Sequence, residues 1–154
     1  MENVRRAILD IIDDVAVFHY LDKSEVEELV PYLEHRKYQI GEVLFKEGEP
    51  GEFICFISSG KMEIKKETDF KGKQVILALL SKGSFVGELA LIDGKPRSAT
   101  VVALEPSETL ILHGDKFEAL INEHPRIGVK ILRGIARILS LRLRKAGDRL
   151  AAIF

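Results

Sequence analysis

Apolar residues recur with a helical period at both ends of the chain and with a strand period between them. Val4, Ile8, Ile11, Ile12 and Val15 fall on one helical face, with Arg5, Arg6, Asp10, Asp13 and Asp14 mostly elsewhere. That pattern predicts an amphipathic helix needing a surface to pack on. Ser24-Glu25-Val26-Glu27 has the spacing of a capping box and precedes Leu29, Val30 and Leu33, which predicts a second packing helix opened by Ser24.

From about Tyr38 the period becomes strand-like. Short apolar runs (42–45, 53–58, 62–66, 74–80, 100–104 and 109–112) are separated by glycines at 41, 48, 51, 60, 72 and 83. Strands so closely spaced leave no room for helical crossovers, so the expected architecture is an antiparallel sandwich or barrel. Val75, Leu77 and Leu79 alternate with Ile76, Ala78 and Leu80, which reads as a strand covered on both faces.

The helical period then returns. Asp115 is expected to cap a short helix carrying Phe117, Leu120 and Ile121, and His124-Pro125 to begin a long one. Leu132, Ile135, Leu139, Leu143, Ala146 and Leu150 form one apolar stripe of the long helix, and Ile127, Ile131, Ile138 and Leu141 another. A helix apolar on two sides needs two partners. The fold class is therefore mainly β with flanking α-helices, organised as an N-terminal helical segment over 1–36, a β unit over 37–113 and C-terminal helices over 114–154.

Composition narrows this little: 154 residues of 17.3 kDa, 46% hydrophobic and 31% charged, describe an ordinary globular chain. The net charge of −1 gives no overall drive toward nucleic acid or membrane. Between Arg126 and Arg149 eight basic residues face Asp148 alone, with no aromatic among them, which reads as the solvated side of a helix. One cysteine, Cys55, excludes an intrachain disulfide and sits in an apolar strand as an inert thiol. With no apolar run of signal-peptide or membrane-span length, a reducing cytoplasm is the expected location.

The chemistry concentrates between Gly83 and Ala103. Phe85 and Val86 lead into Gly87; Glu88 follows at once, with Leu89 and Ala90 starting a short apolar segment; a turn over 93–96 then delivers Arg97, Ser98 and Ala99 to a β-branched strand. A guanidinium is a planar fork of donors that matches a phosphate and keeps its proton. Glycine admits close backbone approach, and the free amides of a helix start favour an anion. Glu88 would repel a pure anion, so it implies a ligand that also offers donors, such as a ribose hydroxyl. Taken singly, Arg97 reads as snorkelling or pairing with Glu88, and Glu88 as a first-turn acid favoured by the helix dipole; together they read as one pocket.

The stretch FVGELALIDGKPRSATVVA resembles the phosphate-binding cassette of the cyclic nucleotide-binding domain family, which includes bacterial catabolite activators, kinase regulatory subunits and cyclic-nucleotide-gated channels. The likeness runs from about Phe18 to about Leu150. It implies a β-roll, jelly-roll-like and barrel-shaped, flanked by helices, in which Glu88 accepts from the ribose 2′-hydroxyl, Arg97 pairs with the cyclic phosphate and Ser98 supplies an amide and a hydroxyl. The backbone at Gly87, Leu89 and Ala90 closes on the ligand, and the last helix covers the base.

The catabolite activator branch reads adenine with a threonine–serine pair where this chain has Arg142 and Leu143, so Arg142 joins the candidate site as a group that stacks on or bonds a purine. That branch continues into a DNA-reading domain; here the sequence ends at Phe154, and sequence-specific DNA binding by this chain is not expected. The resulting expectation is a non-enzymatic sensor of cAMP, or of cGMP through Ser98, with no metal and no membrane partner. Its long helix would act as a lid or as a homodimer contact, although arginines between the stripes would repel across a parallel seam. The downstream protein partner is open. The rivals are an interaction module with a silent site, a regulatory fragment of a larger transcription regulator, and a metal enzyme on a cupin-like barrel, for which His19, His35, His113 and His124 are too scattered.

Overall fold

The structure, a computed structural model, describes residues 1–15 and 17–153; Ala16 and Phe154, which fall within the expected helical segments, lie outside the described residues. The chain opens with α1 (Glu2–Ile11) and α2 (Lys23–Leu29), which runs into a 3₁₀ turn at Val30–Tyr32. Eight strands follow: β1 (Glu34–Tyr38), β2 (Val43–Phe45), β3 (Phe53–Ser59), β4 (Met62–Glu67), β5 (Gln74–Leu80), β6 (Phe85–Val86), β7 (Thr100–Ala103) and β8 (Ser107–His113). Helix α3 (Glu88–Asp93) lies between β6 and β7, and α4 (Gly114–Glu123) and α5 (Pro125–Ile153) close the chain.

The strands form two antiparallel sheets, ordered β1-β8-β3-β6 and β2-β7-β4-β5. They are not hydrogen-bonded into one cylinder, so the expected barrel is an open two-sheet roll. Alternation along β3 explains the two cores. Cys55 and Ile57 point between the sheets with Met62, Val101 and Ile111, whereas Ile54 and Phe56 point outward against Ile8, Phe18, Leu29 and Ile131 of the helical layer.

Three local expectations are corrected. Helix α2 is capped by Asp22, not Ser24: the Asp22 carboxylate accepts from the Glu25 amide at 2.9 Å, and Glu25 accepts from the Asp22 amide at 3.1 Å. Aspartate caps as well as serine, and the register two residues earlier turns Val26 and Leu29 inward. Asp115 does not cap α4: the N-cap is His113, and Asp115 accepts only the neighbouring Lys116 amide. Finally, β5 is not covered on both faces. It pairs with β4 alone at a sheet edge and buries only Leu80, while Val75, Ile76, Leu77 and Leu79 are exposed.

Helix α5, about 43 Å long at 1.5 Å per residue, divides in two. Ile127, Ile131 and Ile135 are buried in the helical core, with Gly128 set close against Ile121 of α4. The Lys130 ammonium donates to Glu25 at 2.5 Å and to the Tyr20 carbonyl at 3.0 Å, and the Arg137 guanidinium lies 4.8 Å from the Tyr20 ring. From Ser140 to Ile153 every residue is exposed. The two full-length stripes expected along this helix are thus one buried patch, which Ile135 joins, followed by an open face that includes Leu141, Leu143 and Leu150.

Candidate functional site

A cavity of about 500 Å³ opens between β7, the β4–β5 hairpin, α3 and α5. Arg97 sits at its base with 3% of its surface exposed. Its backbone is clamped first: the Arg97 amide donates to Glu49 at 2.7 Å and its carbonyl accepts from Gly48 at 2.8 Å. The guanidinium then donates to the carbonyls of Gly87 (2.9 Å) and Phe53 (2.7 Å) and lies 3.9 Å from the Phe45 ring centre and 4.8 Å from that of Phe53. Its Nε has no hydrogen-bond partner among the described residues.

The Glu88 carboxylate pairs with Arg142 rather than with Arg97. Burial pulls the Arg97 guanidinium below its usual value. A buried, fixed cation that hydrogen-bonds only to carbonyls, with Glu49, Glu52 and Glu88 acting on it at longer range, has the chemistry to receive an anion, because the charge has already lost its water.

Gly87 caps α3 in the left-handed region at φ 92°, and no side chain caps that helix. A Cβ there would lie 2.6 Å from Arg97 Nη1 and 3.0 Å from the Phe53 carbonyl. The glycine therefore serves both the turn and the seat of the guanidinium. Gly51 is needed for space alone, since a Cβ there would come within 2.0 Å of Ala90 Cβ.

Glu88, the first residue of α3, is 4% exposed, and burial raises its carboxyl above the usual range. Arg142 reaches across from α5 and donates to Glu88 Oε1 at 3.1 Å and to the Phe85 carbonyl at 3.2 Å, its guanidinium 4.8 Å from the Phe85 ring. Ser98 is exposed at the rim, its carbonyl held by the Lys66 ammonium at 2.7 Å.

Of the ten residues singled out in the sequence, Val86, Gly87, Glu88, Leu89, Ala90, Arg97, Ser98, Ala99 and Arg142 line this one cavity. Phe85 does not: it is buried behind the wall and contributes its ring and carbonyl to seating Arg142. Leu139 and Leu143, on the helix expected to cover the base, also line the cavity, and Phe45, Ile64, Leu77 and Val101 complete the lining without having been expected there, because they come from other strands and carry no local signal. Among the described residues no three His, Cys, Asp or Glu side chains converge on a metal-sized site.

Comparison with known proteins identifies the family. Residues 35–124 match the cyclic nucleotide-binding domain family. The chain is 35% identical over 130 residues to a cyclic AMP receptor protein of Thermus thermophilus, covering 84% of this chain and 58% of that protein. It is 38% identical over 119 residues to a cAMP-dependent protein kinase regulatory subunit of Debaryomyces hansenii, covering 77% of this chain and 25% of that one. The fold superposes on a solved cyclic nucleotide-binding domain from Methylobacillus flagellatus with a TM-score of 0.87 at 29% identity, covering 99% and 85% of the two chains. The chain spans less than two thirds of the length of the curated relatives named here. With the family match extending over more than half of its length, this chain belongs to the cyclic nucleotide-binding domain family.

Proposed function

We propose that the chain is a non-enzymatic sensor of a 3′,5′-cyclic nucleotide, cAMP favoured over cGMP, that relays occupancy through α5 to a protein partner. Arg97 and the Ser98 amide take the cyclic phosphate, Glu88 takes the ribose 2′-hydroxyl, and the backbone of Gly87, Leu89 and Ala90 closes around both. The observation that carries this reading is the buried Arg97 guanidinium, held by two carbonyls, with an unpartnered Nε and a 500 Å³ cavity beside it. The names of the Thermus receptor and the kinase subunit support cAMP as the ligand. A cytosolic setting fits a chain with one buried cysteine; among the described residues no helix is long and apolar enough to cross a membrane.

The exposed half of α5 supports a second copy of the chain as one partner. Val129, Leu132, Ala136, Leu139, Leu143, Ala146, Leu150 and Ile153 recur at alternating spacings of three and four, the pattern of a two-stranded seam. In a parallel register the flanking position of Arg142 faces Gly147 of the other copy, which reduces the arginine repulsion expected of such a seam. The rival reading is a regulatory fragment of a larger transcription regulator, favoured by the 58% of the Thermus receptor that this chain spans.

Calorimetric titration with cAMP and cGMP tests the sensor, and sedimentation with and without nucleotide tests the seam. Binding of neither nucleotide would leave an interaction module with a silent site. A monomer at all concentrations would leave α5 as a lid only.

A further inference from the structure

We infer that one face of α5 is a docking surface for an acidic helix of a partner protein, whose carboxylates meet a row of arginines. The inference rests on the sensor reading above only for the expectation that α5 meets a protein; the chemistry of that partner comes from the row itself.

Projected at about 100° per residue, α5 divides into three faces roughly 120° apart. Ile127, Ile131 and Ile135 point into the helical core, and Val129, Leu132, Leu139 and Leu143 belong to the aliphatic row that a second copy would cover. Arg126, Lys130, Arg133, Arg137 and Arg144 share the remaining face, within about 60° of one another and over about 27 Å of helix. Pairing along the seam would therefore leave this face open.

The row is anchored at its middle and carries uncompensated charge. Lys130 is held by Glu25 and the Tyr20 carbonyl, and the Arg137 guanidinium lies 4.8 Å from the Tyr20 ring, a contact that leaves its charge intact. Arg126, Arg133, Arg137 and Arg144 are exposed. Among the described residues none of these four forms an ion pair; the pairs that α5 makes are Lys130 with Glu25 and Arg142 with Glu88. The one acid of the helix, Asp148, stands a turn beyond Arg144. A merely solvated helix face mixes both signs, whereas here one sign runs unbroken for about five turns.

Guanidinium groups fork onto carboxylates or phosphates; the rest of the face selects the carboxylate. A net charge of −1 gives no field to gather nucleic acid, and no aromatic stands in the row to stack on bases. Leu141 is the one large apolar side chain on this face, too little to enter a lipid surface. The four arginines are spaced seven, four and seven residues apart, the repeat at which a helix lying alongside returns to the same side. That spacing reads the same in both directions, so an acidic helix fits it in either orientation.

The test uses an alanine-based helical peptide bearing glutamates at the same spacings, with a scrambled peptide of identical composition as control. Fluorescence anisotropy at low ionic strength should show the matched peptide binding the chain more tightly than the scrambled one. The triple variant Arg126→Gln, Arg133→Gln, Arg144→Gln should weaken the matched peptide by about tenfold, since exposed ion pairs each contribute a factor of about 1.5 to 5. None of these three arginines lines the nucleotide cavity, so the variant should keep its cAMP affinity. Absence of peptide binding, equal binding of the two peptides or no loss in the variant overturns the proposal. So does tighter binding of a DNA duplex or of phosphatidylserine vesicles through the same arginines. A wild-type chain that binds the matched peptide but no cyclic nucleotide removes the sensor reading and leaves the docking face standing.

Discussion

The two ends of the cavity are built on opposite principles. At the α3 end the two charged side chains are buried: Arg97 is tied down by backbone groups of Gly87, Phe53, Glu49 and Gly48, and Glu88 stands at the head of a helix that Gly51 lets sit close. At the α5 end the surface is apolar and open, contributed by an edge hairpin and by a helix that buries no side chain from Ser140 to Ile153. A buried charge costs too much to leave loose, so the first end is preorganised whether or not a ligand is present. The second end has unburied apolar area that only a ligand or a partner can cover.

Removing the preorganised cation should have the largest effect. Arg97→Ala is expected to weaken cAMP binding by about 30-fold to several thousand-fold, the range for losing one partner of a buried, hydrogen-bonded charge contact. Calorimetry on a variant with an unchanged circular dichroism spectrum measures it. Affinity within a few-fold of wild type would assign the phosphate to some other group.

Gly87→Ala strikes the same end through the backbone. The left-handed conformation costs a residue with a Cβ about 1–2 kcal/mol, and the new methyl would press on Arg97 Nη1. A fall of about 2–8 °C in Tm is expected, together with weakened cAMP binding. If the Tm falls and binding is retained, the guanidinium has room to move and the end is less rigid than its contacts imply.

What the sequence disclosed follows the same division. Gly87, Glu88, Arg97 and Ser98 are legible because they lie within twelve consecutive positions and their residue types suit one chemistry. The rings under Arg97 and the carbonyl of Phe53 are not, because they arrive from strands more than forty residues away. Strands β3 and β5 make the point for the fold. FICFISS is buried on both faces and QVILALL lies open at an edge, although the second is the more continuously aliphatic. Composition states that a strand can be covered; only its place in the sheet order, central for β3 and terminal for β5, decides whether it is. Helix α5 fails for a similar reason, since a heptad repeat reads alike where it is buried and where it is bare.

Glu88→Gln sharpens the comparison at the boundary between the two ends. Cyclic AMP should weaken about five- to tenfold, as for exchanging a charged acceptor for a neutral one, while its 2′-deoxy analogue changes little. The raised carboxyl of Glu88 puts the same loss within reach of pH: as pH falls, this acid takes its proton earlier than an ordinary glutamate. The preference for ribose over deoxyribose should fade correspondingly early. Equal losses for both ligands would return Glu88 to the role of a helix-start acid.

The smallest effect on affinity belongs to Arg142, and it bears most directly on signalling. Its pair with Glu88 spans the two ends, but the arginine is 41% exposed, and such pairs contribute about 0.2–1 kcal/mol. Arg142→Ala should therefore weaken cAMP only a few-fold. Its consequence lies in amide exchange along α5. Ile127, Gly128, Ile131, Gly134 and Ile135 are buried, so this part of the helix should be protected without ligand, whereas the backbone from Ser140 to Ile153 belongs to a stretch with no buried side chain. A ligand can shift the lid only by its differential affinity for the closed state, so adding cAMP should slow exchange between Leu139 and Leu150 in the wild type and leave Ile127 to Ile135 as they were. In Arg142→Ala the nucleotide still binds, but the slowing beyond Leu139 should largely disappear. If instead exchange slows only between Gly87 and Ser98 in the wild type, the α3 end binds without instructing the α5 end, and the relay through this helix is wrong even though the binding site is right.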